Sequence, residues 1–344
     1  AAVAVGGDEV WRPATPGYDW SFPRDDASHP DYKTEWWYLT GHLWPADHDD
    51  DAALSFQMTF FRVGLIPPDR PTPAGAWAAR DLVMAHASLA DPAGPSHRFS
   101  EVLRRASPLL GWFGAPGDSA LAWCLAPAGT DGRWSVTRRG RGYRIQAADD
   151  RQGFGYDLVC TPAKPRVFHG TGGFSPKSAD GSAGSLYFSF TRMTVTGTVT
   201  RDGRITPVRG QCWLDREIFS NSLAENQTGW DWVSLQLDDG RDLMVYRLRG
   251  ATSADDFALG TLVGPDGDAR SLPAGDWSLE PTDHWTSPAT GATYPVAWRL
   301  RVPAADLDLE LRAVMAAQEN VSPGSGVHYW EGAMSARPYD GSGP

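Results

Sequence analysis

The sequence predicts an all-β protein, and three observations lead there. Apolar residues alternate with polar ones at period two in segment after segment, whereas helical periodicity is nearly absent. Gly (37) and Pro (27) punctuate these runs at short intervals, as in chains of short strands joined by tight turns. With 344 residues and 41% hydrophobic side chains, the chain can build one large or two medium cores.

The strands follow in order. Leu54, Phe56, Met58 and Phe60 alternate with Ser55, Gln57 and Thr59, and Leu186, Phe188 and Phe190 alternate with Tyr187, Ser189 and Thr191. Val233, Leu235 and Leu237 face away from Trp232, Ser234 and Gln236; Asp238-Asp239-Gly240 then supplies a hairpin turn into Leu243–Leu248. Val296 to Val302 forms another alternating face, and Leu307, Leu309 and Leu311 oppose Asp306, Asp308 and Glu310. Several strands carry bulky groups on both faces, which a closed barrel with a ligand-holding interior would explain. One small barrel needs about 150–200 residues, so two are expected, with the junction near Trp213–Thr228. The irregular stretches Gly64–Arg80, Arg104–Leu121 and Pro162–Gly184 are candidate lids or rim loops.

The net charge of −11 and the pI of about 5.1 argue against nucleic acid and anionic membrane surfaces as partners. Cys124, Cys160 and Cys212 have no CxxC spacing and form no disulfide framework, although one bridge remains open. The opening Ala1-Ala2-Val3-Ala4-Val5-Gly6-Gly7 reads as the mature end of a secreted or periplasmic chain, or as a trimmed cytoplasmic one. The scattered His residues offer no metal-ligand spacing, and no GxSxG elbow marks a serine nucleophile. No cofactor is implied.

The chemistry centres on Asp215 in Gln211-Cys212-Trp213-Leu214-Asp215-Arg216-Glu217. A carboxylic acid among indole rings is poorly solvated, so its pKa rises and it can stay protonated near neutrality. Such a group can protonate a carbon–carbon double bond. Glu217 shares its strand face and would raise that pKa further, while Arg216 points to the other face. Asp215 as half of a structural ion pair is the competing reading. Glu35 and His86 are further acid/base candidates; each could instead be structural, Glu35 satisfying backbone donors and His86 sitting in the core. Trp37, Tyr187, Trp213, Trp230, Trp232 and Tyr246 are candidate ligand-binding aromatics. His328 and Glu331 read as structural.

His29-Pro30-Asp31-Tyr32-Lys33-Thr34-Glu35-Trp36-Trp37-Tyr38-Leu39-Thr40-Gly41-His42-Leu43 resembles the opening signature of the carotenoid 1,2-hydratase (hydroxyneurosporene synthase) family, which includes secreted bacterial proteins described as hydrolases. The Trp213–Glu217 segment, the Gly229–Leu248 block and Val327-His328-Tyr329-Trp330-Glu331-Gly332 resemble its later signatures, so the likeness spans roughly residues 18–335. It implies two consecutive lipocalin-like antiparallel β-barrels, placed at residues 1–215 and 216–344. It also implies that Asp215 stands where those enzymes carry their proton donor. Their His-x-Trp element lies one hairpin upstream, where this chain reads Leu186-Tyr187-Phe188-Ser189-Phe190.

Two functions follow as expectations. The first is a hydro-lyase that protonates and hydrates a C=C bond of an apolar, isoprenoid or polyketide-like substrate; an isomerase or cyclase could use the same fold. Asp215 would generate a tertiary carbocation, aromatic faces would stabilise it at about 2 kcal/mol each, and water held by His86 or Tyr187 would capture it. The second is a non-catalytic carrier or export component for a hydrophobic small molecule. Peripheral association with lipid is compatible with either.

Overall fold

The computed structural model describes residues 11–341 except 48–52, 73, 74, 76, 77 and 222–226. Regular structure among the described residues is almost entirely strand, 58% against 3% helix, the latter as three single-turn 3₁₀ segments. Alternation does shape the fold: the strands from Thr34–Pro45 to Arg204–Phe219 form one large antiparallel sheet that curls into a nearly closed barrel.

The inward-facing residues of this barrel are packed on one another. Trp37, Phe56, Phe60, Trp134, Leu158 and Phe188 are buried in a single core. The interior expected to hold a ligand is therefore filled by side chains. Its central strands, Thr34–Pro45 and Arg204–Phe219, pair in antiparallel register with Tyr38 opposite Asp215 and Gly41 opposite Cys212. A Cβ at Gly41 would fall 2.2 Å from the Gln211 carbonyl oxygen, so only glycine allows this close approach.

After Phe219 the chain leaves this sheet, and from Gly229 it builds two four-stranded sheets, with a small two-stranded one of Glu319–Val321 and His328–Trp330 beside them in sequence. Part of the expected junction, 222–226, lies outside the described residues. The Asp238-Asp239-Gly240 turn forms as anticipated, with Gly240 at φ +86° and the Leu237 N–H donating to the Arg241 carbonyl at 2.8 Å. The two sheets share a core through Val233, Val245, Trp298 and Leu309.

The first of these sheets is a middle layer. Its other face, with Trp232, Met244 and Tyr246, packs on Tyr187 and Trp213 of the barrel's outer surface. The Gln236 amide also donates to the carbonyls of Thr191 (2.7 Å) and Cys212 (3.0 Å). Bulky residues on both faces of Trp232–Leu237 thus reflect burial between two partners. Buried Asp242 fastens the layers, accepting from Lys164 at 2.6 Å, Arg192 at 2.7 Å and Thr191 at 2.8 Å. The three cysteines are buried and unbridged.

Candidate functional site at the face between barrel and second half

Strand parity decides what Asp215 meets. Leu214 and Arg216 face the barrel interior, and Trp213, Asp215 and Glu217 project outward beneath the second half. Register then builds a transverse row on that outer face: Ser189, Asp215, Tyr38, Thr59, His86 and Glu101 stand side by side on six adjacent strands.

Asp215 is 4% exposed. One carboxylate oxygen accepts from the Tyr187 hydroxyl at 2.8 Å. The other accepts from the Trp213 indole N–H at 2.6 Å and from the Ser189 hydroxyl. Burial pushes the acid up to about 7; the three donors oppose the rise and the charge of Glu217 adds to it. Among the described residues no Lys or Arg ion-pairs with Asp215. A carboxyl group in this state divides its population between acid and base near neutral pH.

The groups in direct contact are uncharged and mostly aromatic. Trp232 donates its N–H to the Tyr187 hydroxyl at 3.3 Å and packs edge-on against Trp213 and Tyr38, with ring centroids 6.3 and 5.4 Å apart. His169 lies between Ser189 Oγ (2.7 Å) and Thr261 Oγ1 (2.8 Å). Burial, aided by nearby Lys177, lowers its pKa to about 3, so it is an uncharged imidazole. Since Ser189 donates to Asp215, its oxygen accepts from His169 Nε2–H, and Nδ1 accepts from Thr261.

Glu217 is occupied elsewhere. Lys177 Nζ lies 2.7 Å from its carboxylate, Ser185 donates to the same oxygen, and the ammonium sits 4.1 Å from the Tyr246 ring centroid. Tyr246 donates to the Pro176 carbonyl at 2.7 Å, closing this side of the site. The segment Pro162–Gly184, expected as a rim loop, carries His169, Ser175 and Lys177 into it.

Other anticipated residues lie apart from Asp215. Glu35 is on the inward face, where Arg62 and Arg216 both bind its carboxylate and the backbone N–H of His29 donates to it at 2.8 Å. Burial alone would raise its pKa, but the two guanidinium groups hold it well below the usual range. Glu35 is thereby an anchor of the barrel end. Trp37 faces the core, stacked on Phe113 with the Arg216 guanidinium 3.8 Å from its ring centroid. Trp230 shares the face of Trp232 but lies at the strand's start, 55% exposed.

His86 is on the outer face, not the interior. It contacts the Tyr329 hydroxyl at 2.8 Å and Glu101 at 3.2 Å. Two strands lie between it and the Asp215 strand, so three spacings of about 4.8 Å put it roughly 15 Å away, and it does not reach a water beside that carboxyl.

Sequence reasoning missed Tyr38, Ser189, His169, Lys177 and Glu331. Tyr38 donates to Glu331 Oε1 at 2.5 Å. Burial raises Glu331 to about 7, opposed by that hydrogen bond and reinforced by the charge of Asp215. Tyr38 and Ser189 share Asp215's row, but that pairing is visible only once register is known.

A buried, largely aromatic site on a lipocalin-like β-barrel scaffold defines the class of protein. Residues 13–343 match the AttH-like family model, and the chain belongs to that family. A crystal structure described as an AttH of Nitrosomonas europaea is 31% identical, with a TM-score of 0.81 and 96% of each chain covered. Kievitone hydratase from Nectria haematococca shares the fold at 12% identity, with a TM-score of 0.65, over 96% of this chain and 92% of its own. Comparison with curated protein sequences returns no match.

Proposed function

We propose that this AttH-like protein is a hydro-lyase that protonates and hydrates a C=C bond of an apolar, isoprenoid or polyketide-like substrate, with Asp215 as proton donor. The observation that carries the reading is the state of Asp215: buried, poised near 7, lacking an ion-pair partner among the described residues, and walled by Trp213, Trp232, Tyr187 and Tyr38. The likeness of the scaffold to a hydratase is compatible with it.

In this reading the protonated carboxyl adds its proton to the less substituted alkene carbon, leaving a tertiary carbocation and the Asp215 carboxylate. Tyr187, Trp213 and Ser189 already donate to that carboxylate, so its new charge is solvated without rearrangement. The indole and phenol faces stabilise the cation. Water then adds to the cation and, losing one proton to the Asp215 carboxylate, gives a tertiary alcohol and restores the acid. Because Asp215 is 4% exposed, substrate reaches it only as the facing layer, Trp232 foremost, gives way.

The test is incubation with a panel of isoprenoid and polyketide-like alkenes in ¹⁸O-water, followed by mass spectrometry. Labelled alcohol is expected from the wild type, with at least about 10²-fold less from Asp215→Asn. Tight binding of an alkene without any labelled product would favour a carrier.

A further inference from the structure

Asp215 is shut away from solvent, so its proton must come and go through the groups that touch it, and its three donors differ in what lies behind them. Trp213 ends at its own indole, whose N–H donates and accepts nothing. The Tyr187 hydroxyl is backed by the Trp232 indole at 3.3 Å, a second dead end of the same kind. Behind Ser189 stands His169 at 2.7 Å, and behind His169 stands Thr261 at 2.8 Å. Each of these three can both give and take a proton. Among the described residues this branch alone continues.

The sequence sets the branch in place. Val167–Phe168 pairs with Gly184–Arg201, and the His169 N–H then donates to the Tyr187 carbonyl at 3.1 Å, which puts the imidazole on the outer face with Ser189. A Cβ at Gly170 (φ +67°) would fall 2.1 Å from the Phe174 carbonyl oxygen, so glycine lets the chain turn away directly after the histidine. At the far end, Thr261 lies in Phe257–Val263 opposite Ser271. Thr261 is 2% exposed, but Ser271 is exposed and belongs to Ala269–Pro273, the edge strand of that sheet. Side chains directly opposed on one face stand about 5 Å apart. Solvent at Ser271 is therefore one step from the Thr261 hydroxyl.

Hydrogen bonding allows this branch two complete arrangements. With Asp215 ionised, Thr261 donates to His169 Nδ1, Nε2–H donates to Ser189, and Ser189 donates to Asp215 Oδ1. With Asp215 protonated on that oxygen, Asp215 donates to Ser189, Ser189 donates to Nε2, and Nδ1–H donates to Thr261. The two differ by one proton and by the tautomer of His169.

We propose that Ser189, His169 and Thr261 form a proton path joining buried Asp215 to solvent at the exposed edge strand beside Ser271. The inference rests on the reading of Asp215 as an exchangeable acid and is independent of the substrate. None of the three touches substrate; they act through Asp215. To load the acid, a hydronium ion in solvent gives a proton to Thr261 Oγ1 and becomes water. Thr261 passes its own hydroxyl proton to Nδ1, His169 passes its Nε2 proton to Ser189, and Ser189 passes its hydroxyl proton to Oδ1. Every O–H or N–H bond broken is matched by one formed, and unloading is the reverse. The imidazole gains a proton at one nitrogen as it loses one at the other, so it stays neutral, as burial beside Lys177 demands. The titratable groups around it are Tyr187 in ring contact, Lys177 with its partner Glu217, and Asp215 beyond Ser189. The facing layer stays closed throughout.

Two measurements on the full chain decide it. Nitrogen-15 shifts of histidine-labelled protein, with His169→Gln identifying the ring, report the tautomer from about pH 5 to 9. Nδ1–H is expected at the acid end and Nε2–H at the alkaline end, changing over with the same midpoint as the Asp215 carboxyl. One tautomer throughout, beside an Asp215 that titrates near 7, overturns the path and leaves Asp215 standing as the acid; so does an imidazolium in this range. An Asp215 ionised over the whole range removes the acid and the path together. The second measurement is a rate. After a pH jump, the infrared C=O band of the protonated carboxyl, assigned by its loss in Asp215→Asn, should appear about 10²-fold more slowly in Thr261→Val than in the wild type, with the midpoint nearly unchanged. An equal rate in folded Thr261→Val overturns the path; if that variant does not fold, the tautomer of the wild type decides.

Discussion

Replacing Asp215 with Asn should make the protein progressively more stable than the wild type as pH rises. In the folded chain burial lifts Asp215 from 3.8 to about 7. Between those values the folded state holds a proton that the unfolded state has released, so stability falls as pH increases. Asp215's contribution is therefore fully present below about pH 4 and lost by about pH 8. Three pH units at about 1.4 kcal/mol each amount to about 4 kcal/mol. Asn has no such term. Glu331 adds in the same direction, because ionised Asp215 hinders its ionisation and Asn does not. Urea unfolding of both proteins at about pH 4, 6 and 8 isolates the difference, since other titrating groups cancel. The reasoning predicts that the Asn variant gains about 4 kcal/mol relative to wild type across the series. A stability difference independent of pH would refute it, and a trend of opposite sign would mean that Asp215 is ionised and paired.

The remaining predictions use the same geometry. Turnover should fall above about pH 7 as Asp215 loses its proton, giving an upper, alkaline limb in the kcat profile. Ser189→Ala removes a donor that favours the carboxylate, so the Asp215 pKa should rise by about 1–2 units, read as an alkaline shift of the upper limb. Glu35→Gln strips the carboxylate from two buried guanidinium groups and should cost about 3–5 kcal/mol in urea unfolding, whereas Trp230→Ala on the exposed surface should cost far less.

The sequence made part of this architecture legible for physical reasons. Period-two alternation has one simple source, so Leu54–Phe60 and Leu307–Leu311 were readable as strands. Parity within one strand also carries over, placing Trp213, Asp215 and Glu217 together and Arg216 opposite. What parity cannot supply is which face is which when both are covered. In Asp81–Asp91 the outward His86 is as buried as the inward Ala85 and Ala87, so no polar face distinguishes the sides. For the same reason alternation does not single out Tyr38 over Trp37, although the outward residue is the one beside Asp215. Partners brought by register or by irregular chain were beyond reach: Glu331 is 116 residues from Asp215 in sequence, and His169 and Lys177 come from a segment with little alternation.

The most direct test of the central claim is the protonation state of Asp215 itself. Carboxyl ¹³C chemical shifts of aspartate-labelled protein, followed from about pH 4 to 9 with Asp215→Asn identifying the resonance, report its titration midpoint. The account predicts a midpoint near 7, moving upward in Ser189→Ala. A midpoint at or below the ordinary aspartate value of about 3.9 would mean that the carboxyl is ionised throughout the neutral range and cannot serve as the acid.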